Sequence, residues 1–578
     1  MNNRTFLVLL LLLAITFITF LPALNNSFTN LDDDLYITAN PLIKSLNFES
    51  IKTMFLYNLY HLYTPLPLLS FALEYKFFKL VPFYYILDNI LLHLASTALV
   101  FFLIKQLSEN IRVSFFTALL FAIHPMHIES VAWISERKDL LCGLFYFSSL
   151  CLYLMYLKSG KRRCLYSSVL LYIPSMLSKP MGITLPIILL LIDKFNGRKF
   201  THSVFMEKIP FFIIGGLIAA VSLFGPEYTS LELNVPRGFS LDNVFNTIYS
   251  ITFYIKKLFI PFKLSCLYPL PGGEMANLSL PHLYAFFLFG LICSVFWLFF
   301  RKNRIIFFGI MFYFVSILPA SGIINSGGKA LVFNHYTYLS YTGLFFIIAH
   351  YFVRSAAGKL KYPLYLIAGV VFTFMSLYSM ERVQTWANGK TLMTNVIDHY
   401  PNLPMAYYNR GHHYNQLKNY PEAMRDYTMA IALDPGYLQA YFNRGIIFLT
   451  QGKYDEALQD FNSTINLMPT HSRAYTCKGL AFAAKGDNSR AILNYSKALA
   501  LSPRSFIAYN DRGEAYLRLG DYKNAGDDFM AAISINPKFP NAYAGLGTVF
   551  FNTGHDNLAL RNFTFAIEYN PNFAYAYY

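Results

Sequence analysis

The first residues able to do chemistry are three consecutive carboxylates, Asp32, Asp33 and Asp34, just past an apolar N-terminal run. A carboxylate at a bilayer edge can serve as a general base, because partial burial raises its pKa toward a useful range. A solvated acidic loop or a helix cap accounts for the same residues without chemistry. A second constellation comprises His124, His127 and Glu129, followed by Glu136, Arg137, Lys138 and Asp139. Arg137 offers a planar fork of donors and Lys138 a point charge, both suited to holding a phosphate, and Lys179 stands where it can join them. Two other readings stay open for the stretch. His124, His127 and Glu129 can ligate a metal, although their spacing is not HExxH, or the polar side chains can cap helices. His93, inside an apolar run, reads as an interhelical hydrogen bonder. His61, Lys329 and His335 are candidates to line the same cleft.

These groups are positioned by apolar segments of membrane-spanning character. A spanning helix takes about 20 mostly apolar residues. Residues 5–24, 86–104, 113–124, 140–157, 165–178, 181–193, 209–224, 282–300, 305–320, 336–353 and 363–380 qualify, about eleven spans in all. With the N-terminus inside, the basic clusters at Lys105/Arg112, Lys158–Arg163, Lys194–Lys199, Arg301–Arg304 and Lys359/Lys361 all face the cytoplasm, as the positive-inside rule requires. Residues 243–260 and 66–80 carry interrupting charges and read as interfacial or re-entrant helices. An odd span count then puts the acidic triplet, the histidine-rich corner and everything beyond residue 380 outside the cytoplasm. The first run is too long for a signal peptide and offers no Ala-x-Ala site, so it reads as an uncleaved span.

Composition agrees with this class. Hydrophobic residues make up 55% and charged residues only 14%, against about 25% charge in soluble domains. The net charge of +15 lies in clusters between apolar runs, not along a stripe on a soluble domain, which argues against nucleic-acid binding. Six cysteines without CxxC spacing read as buried thiols.

The tail has a 34-residue period. Pro401, Pro435, Pro469, Pro503, Pro537 and Pro571 keep it, as do Gly411, Gly445, Gly479, Gly513 and Gly547, and Ala423, Ala457, Ala491, Ala525 and Ala559. This is the tetratricopeptide pattern of paired helices, in five full units plus the start of a sixth. Small Gly and Ala let the helices touch, while Tyr427, Phe461, Tyr495, Phe529 and Phe563 fill the space between them. On the expected concave face, Tyr408, Asn409, Phe442, Asn443 and Asn510 can grip an extended peptide, or be ordinary solvated positions. The expected fold is all-α: a membrane domain over 1–385, a linker or helix over 386–403, and a solenoid over 404–578.

Taken in order, membrane region then repeats, the chain resembles the transmembrane-and-tetratricopeptide family of O-mannosyltransferases and their bacterial relatives. Asn30-Leu31-Asp32-Asp33-Asp34-Leu35-Tyr36 is similar to that family's acidic motif. His124-Pro125-Met126-His127-Ile128-Glu129-Ser130-Val131-Ala132-Trp133, continued by Glu136-Arg137-Lys138-Asp139, is its most distinctive stretch. Ser178-Lys179-Pro180, Tyr268-Pro269 and Tyr336-Thr337-Tyr338-Leu339 also match. The resemblance implies a GT-C glycosyltransferase fold, a polyprenyl- or dolichyl-phosphate sugar as donor, and an extracytoplasmic protein hydroxyl as acceptor. It further implies Asp32 as base with Asp33 orienting it, and no resident cofactor, a divalent metal being the less favoured addition. The membrane would be a bacterial inner membrane, or the endoplasmic reticulum in a eukaryote. One departure is His335, in Phe333-Asn334-His335-Tyr336, where the family pattern has an arginine suited to a phosphate.

Two other function classes are a non-catalytic membrane scaffold that assembles complexes through its repeats, and a transporter. A scaffold has no need of buried ionisable motifs, which are costly to insert, and no inverted repeat of broken helices supports a transporter.

Overall fold

The computed structural model describes residues 2–59, 62–226, 241–269, 280–322, 332–358 and 360–577. His61, Lys329 and Lys359 lie outside them. The chain divides into two compact units, Met1–Pro401 and Asn402–Tyr578. Both are helical, and among the described residues extended pairing is limited to one isolated bridge between Leu59 and Leu62.

In the first unit the principal helices are α1 (Asn3–Phe20), α2 (Pro65–Phe78), α3 (Pro82–Ser108), α4 (Ile111–Ile123), α5 (Arg137–Ser159), α6 (Arg162–Ser178), α7 (Leu185–Phe195) and α8 (Ile209–Phe224). They continue as α9 (Leu241–Phe259), α10 (Leu280–Val295), α11 (Arg304–Ile317), α12 (Thr337–Ser355), α13 (Lys361–Gln384) and α14 (Gly389–His399). Side chains such as Leu366, Val370 and Leu377 on α13 and Leu280 and Phe287 on α10 lie largely exposed. In water such apolar faces would be strongly unfavourable; a lipid environment accounts for them. The protein is a multi-pass membrane protein.

All eleven apolar segments are helical, but fewer are built to cross. Among the described residues, six stretches are long and apolar enough: Asn3–Asn25, Pro82–Ser108, Ile134–Ser159, His202–Phe224, Leu280–Leu298 and Lys361–Gln384. Ile111–Ile123 with Pro125–Ala132 makes a seventh if that pair, bent by 52°, counts as one span. The others are short, like α7 with 11 residues, or carry buried hydroxyls, like Thr337, Ser340 and Thr342 on α12. The physical reason is that a run of 10–14 apolar residues serves equally to pack among neighbouring helices.

α11 and α12 touch backbone to backbone. A Cβ on Gly309 would lie 2.4 Å from the Gly343 carbonyl oxygen, and the converse holds for Gly343. Of the linker or helix expected over 386–403, Gly389–His399 is helical. Trp386 is buried and stacks on Trp133 at 5.4 Å, and α14 buries Leu392, Met393 and Val396 inside the first unit.

The second unit is five helix pairs, from Pro404–Gln416 and Tyr420–Leu433 to Pro540–Asn552 and Asp556–Tyr569, followed by a single turn at Ala574–Ala576. The glycine column is dictated by the aromatic column. A Cβ at Gly411, Gly445, Gly479, Gly513 or Gly547 would sit 3.0, 2.8, 2.6, 3.0 or 2.9 Å from the ring of Tyr427, Phe461, Tyr495, Phe529 or Phe563 of the same unit. The helix-to-helix turns use left-handed Gly452, Gly486, Gly520 and Gly554; in the first repeat Lys418 takes that conformation, at φ 57°.

Candidate functional site

The acidic triplet follows the C-terminal end of α1, where the chain is held against α13. Asn26 donates to the Val383 carbonyl at 3.1 Å, and the Ser27 amide to the Ala387 carbonyl at 2.8 Å. Within that loop the aspartates differ in kind. Asp33 is fully buried and accepts from the Thr29 amide (2.7 Å), the Thr29 hydroxyl (2.9 Å) and the Ser135 amide (3.0 Å). It fastens the loop to the segment preceding α5. Burial raises its carboxyl to about 6, the three hydrogen bonds pulling the other way. The hydrogen bonds of the Asp33 side chain go to Thr29 and Ser135, not to Asp32. Asp32 and Asp34 are both half-buried: Asp34 accepts from the Thr38 hydroxyl at 2.7 Å, and Asp32, its side chain 39% exposed, lies 3.4 Å from the Lys138 ammonium.

From Asp32 a chain of shared charges runs inward. Lys138 also meets Glu136 at 2.9 Å, between the rings of Tyr36 and Trp133. Glu136 meets Lys179 at 3.3 Å, and Lys179 meets Asp139 at 2.7 Å. His335 bonds through Nδ1 to Glu129, and its Nε2 lies 3.8 Å from Glu136. Burial drives the His335 imidazole well below its ordinary value. Glu129 also accepts from Asn334 at 2.9 Å, and Asn334 in turn accepts from Tyr268 at 2.8 Å. Lys138, Glu129, Lys179 and His335 are thus brought into one cluster with Asp32 at its exposed end.

Three expected participants are placed otherwise. Arg137 is engaged by protein on every side: its guanidinium donates to Asn89 at 2.8 Å, to the Tyr85 carbonyl at 2.8 Å, to Ser70 at 3.3 Å and to Glu74, with the Phe71 ring beneath it. A guanidinium so saturated has no fork left for a phosphate. His124 accepts from the Met126 amide at 3.2 Å and faces the Leu258 carbonyl at 3.1 Å. His127 faces the Phe121 carbonyl at 2.8 Å. The capping reading therefore describes His124, and the His124, His127 and Glu129 set does not converge on a metal position. Ligand atoms do converge, within 4.8 Å, at Glu136, Asp139 and His335. A lysine ammonium already lies between those two carboxylates, and two like charges there repel. His93 bonds Tyr338 at 3.0 Å and the Ala122 carbonyl at 2.9 Å, an interhelical link as expected.

In the repeats, Phe442 is buried against Phe461 and His471 and belongs to the packed interior, not to a free groove. Asn510 is buried too and donates to Glu514 at 3.0 Å. Tyr408, Asn409 and Asn443 are half-buried, with Asn443 donating to the Tyr408 hydroxyl at 3.1 Å.

Tetratricopeptide-repeat families match residues 404–437, 427–459 and 507–539, and a TPR repeat family matches 479–520. Along most of the chain, Protein O-mannosyl-transferase F38B6.6 of Caenorhabditis elegans is 25% identical over 457 residues, 75% of this chain and 63% of the relative. Protein O-mannosyl-transferase TMTC4 of Homo sapiens is 26% identical over 430 residues, 63% of this chain and 57% of the relative. Protein O-mannosyl-transferase tmtc2 of Xenopus laevis is 37% identical over 194 residues, 31% of this chain and 23% of the relative. Over up to 75% of its length the chain is similar to proteins named protein O-mannosyl-transferases. It spans less than two thirds of the length of these three relatives. Among solved structures, a crystal structure of MamA protein is matched over 30% of this chain and 93% of that one, at 24% identity and a TM-score of 0.28; no conclusion rests on it.

Two features escaped sequence reasoning. Glu74 seemed only to spoil an apolar helix, yet it is the buried partner of Arg137; an ionisable residue in such a run was the signal. In the repeats, Arg410, Arg444 and Arg512 each grip the aspartate sixteen residues on, Asp426, Asp460 and Asp528, with paired bonds of 2.8–2.9 Å. Where the arginine is replaced, so is the aspartate: Lys478 goes with Asn494 and Leu546 with Asn562, and each asparagine bonds the carbonyl four residues back at 2.8 Å.

Proposed function

We propose that the protein transfers a hexose, such as mannose, from a polyprenyl-phosphate carrier to a hydroxyl of an extracytoplasmic protein, with GT-C-type chemistry at the Asp32 end of the charge chain. One observation carries the reading: an accessible carboxylate, Asp32, held beside a lysine at the end of the apolar helices by a loop that a buried acid fastens down. The names of the relatives support it. The acceptor hydroxyl oxygen attacks the sugar anomeric carbon as its bond to the phosphate oxygen breaks, and the electron pair leaves on the phosphate. The hydroxyl proton passes to Asp32. Lys138, between Asp32 and Glu136, is the cation positioned to offset the leaving phosphate; Lys179 and His335 hold Glu136 and Glu129 in place behind it. The tetratricopeptide units hold the acceptor protein, through Tyr408, Asn409 and Asn443, and raise its local concentration. This requires the repeats and Asp32 to share the extracytoplasmic side.

The test is a glycopeptide and intact-mass comparison of membrane and secreted proteins from cells carrying the wild-type chain, Asp32→Asn, or neither. Loss of protein-bound hexose in both altered strains is expected, with the Asp32→Asn chain present at normal level. Hexose unchanged by deleting the gene would leave the scaffold reading in its place.

A further inference from the structure

Far from Asp32, at the other end of the same helices, the first unit has a cleft of about 350 Å³ that the proposed transfer reaction does not use. Its walls come from the N-terminal ends of α1, α4 and α13, which all point their C-terminal ends toward the acidic loop. α1 alone separates cleft and loop by about 25 Å at 1.5 Å per residue. Val8, Leu11, Phe115 and Phe116 form the apolar part, and Tyr365 closes it. Arg4, Arg112 and Lys361 also line it, one from each helix. None of the three has a carboxylate partner among the described residues. The neighbouring Lys105 is tied to the Thr5 hydroxyl at 3.0 Å and adds a fourth positive charge at the start of α1.

Three cations without a carboxylate partner around one small cleft repel each other, and an anion among them relieves that repulsion. The apolar walls exclude a freely hydrated anion as the best occupant. They continue into side chains exposed on the membrane face, Leu7 and Leu10 on α1 and Leu366 on α13. The volume holds roughly a dozen water-sized groups, enough for a phosphate headgroup and the first carbons attached to it. We infer that the Arg4–Arg112–Lys361 cleft is a binding site for an anionic phospholipid of the surrounding leaflet, its phosphate held by the three cations and its chains running down α1 and α13. Basic pockets between membrane helices select anionic headgroups by this charge complementarity.

The full chain in detergent, titrated with phosphatidylglycerol or phosphatidylcholine and read by native mass spectrometry, tests the site. Phosphatidylglycerol should bind at least tenfold more tightly than phosphatidylcholine. Arg4→Gln, Arg112→Gln and Lys361→Gln should each weaken it about fivefold, as one juxtamembrane cation does. Val8→Trp, which fills the cleft and keeps every charge, should weaken it as much, so the outcome does not rest on charge removal alone. Equal binding of the two lipids, or phosphatidylglycerol binding unchanged by both Arg112→Gln and Val8→Trp, would overturn the inference. So would a polyprenyl phosphate displacing phosphatidylglycerol from the wild type at equimolar concentration, or inorganic phosphate doing so. Hexose transfer is not the readout, so failure here leaves the proposed function standing, and failure there leaves the cleft.

Discussion

Buried charge is organised differently in the two units. In the repeats it comes as closed pairs: each arginine meets one aspartate through two bonds, and the motif recurs or is replaced whole. In the membrane unit it comes as an open chain, Asp32–Lys138–Glu136–Lys179–Asp139, in which each lysine serves two acids and one end reaches solvent. A closed pair satisfies itself and has nothing left for a substrate. An open chain with an accessible terminal carboxylate can exchange a partner for a ligand. The Arg137–Glu74 pair shows both habits within one unit, since it is closed and lies one residue from Lys138.

The largest expected effect tests the open end. Removing a general base lowers rate by about 10²–10⁴-fold, so Asp32→Asn should lose that much hexose transfer with unchanged thermal unfolding. The closed pair should behave in the opposite way. Arg137→Leu alone leaves a buried carboxylate unpaired and should destabilise the chain by about 3–5 kcal/mol. Adding Glu74→Leu should recover most of that loss in thermal unfolding in detergent. If Arg137→Leu instead abolished transfer in a chain of wild-type stability, the separation of closed from open charge would fail.

Asp33 sharpens the comparison through pH. Its folded value of about 6 lies above the ordinary 3.8, so between those values the folded state holds more protons than the unfolded one. Stability contributed by Asp33 should therefore fall as pH rises from about 4 to 6, by about 3 kcal/mol at 1.4 kcal/mol per pH unit, and stay level above that. Asp33→Asn should remove that share of the slope, which unfolding midpoints of the two chains across that range would reveal. In the repeats, Arg512→Leu should cost about 1–3 kcal/mol, and adding Asp528→Asn, which copies the Leu546 and Asn562 arrangement, should restore most of it in limited proteolysis of the full chain. The smallest effect is at Lys418, whose left-handed backbone its four counterparts leave to glycine. Lys418→Gly should stabilise the repeat unit by at most about 1 kcal/mol.

Much of this was legible in the sequence, for a reason the two units make plain. The repeats were readable to the residue because their contacts recur: Gly479 against Tyr495 is Gly411 against Tyr427 again, so spacing reports packing. The apolar segments were readable as helices, though not as spans, because hydropathy records burial without saying whether lipid or protein does the covering. Side-chain roles inside a repeat were less legible. Phe442 and Asn510 look like groove residues by position, and it is their neighbours His471 and Glu514 that engage them.

What the sequence determined by itself is the helical class, the repeat register and the residue types gathered around the acidic triplet and the His-Pro stretch. Tertiary structure alone decided which of those charges are open and which closed: that Arg137 faces Glu74, that Asp33 clasps Ser135 while Asp32 reaches Lys138, and that Lys179 divides Glu136 from Asp139. These pairings join residues tens to a hundred positions apart and occur once each. Periodicity reports only what repeats, and an unrepeated contact between distant charges is set by which helices pack together.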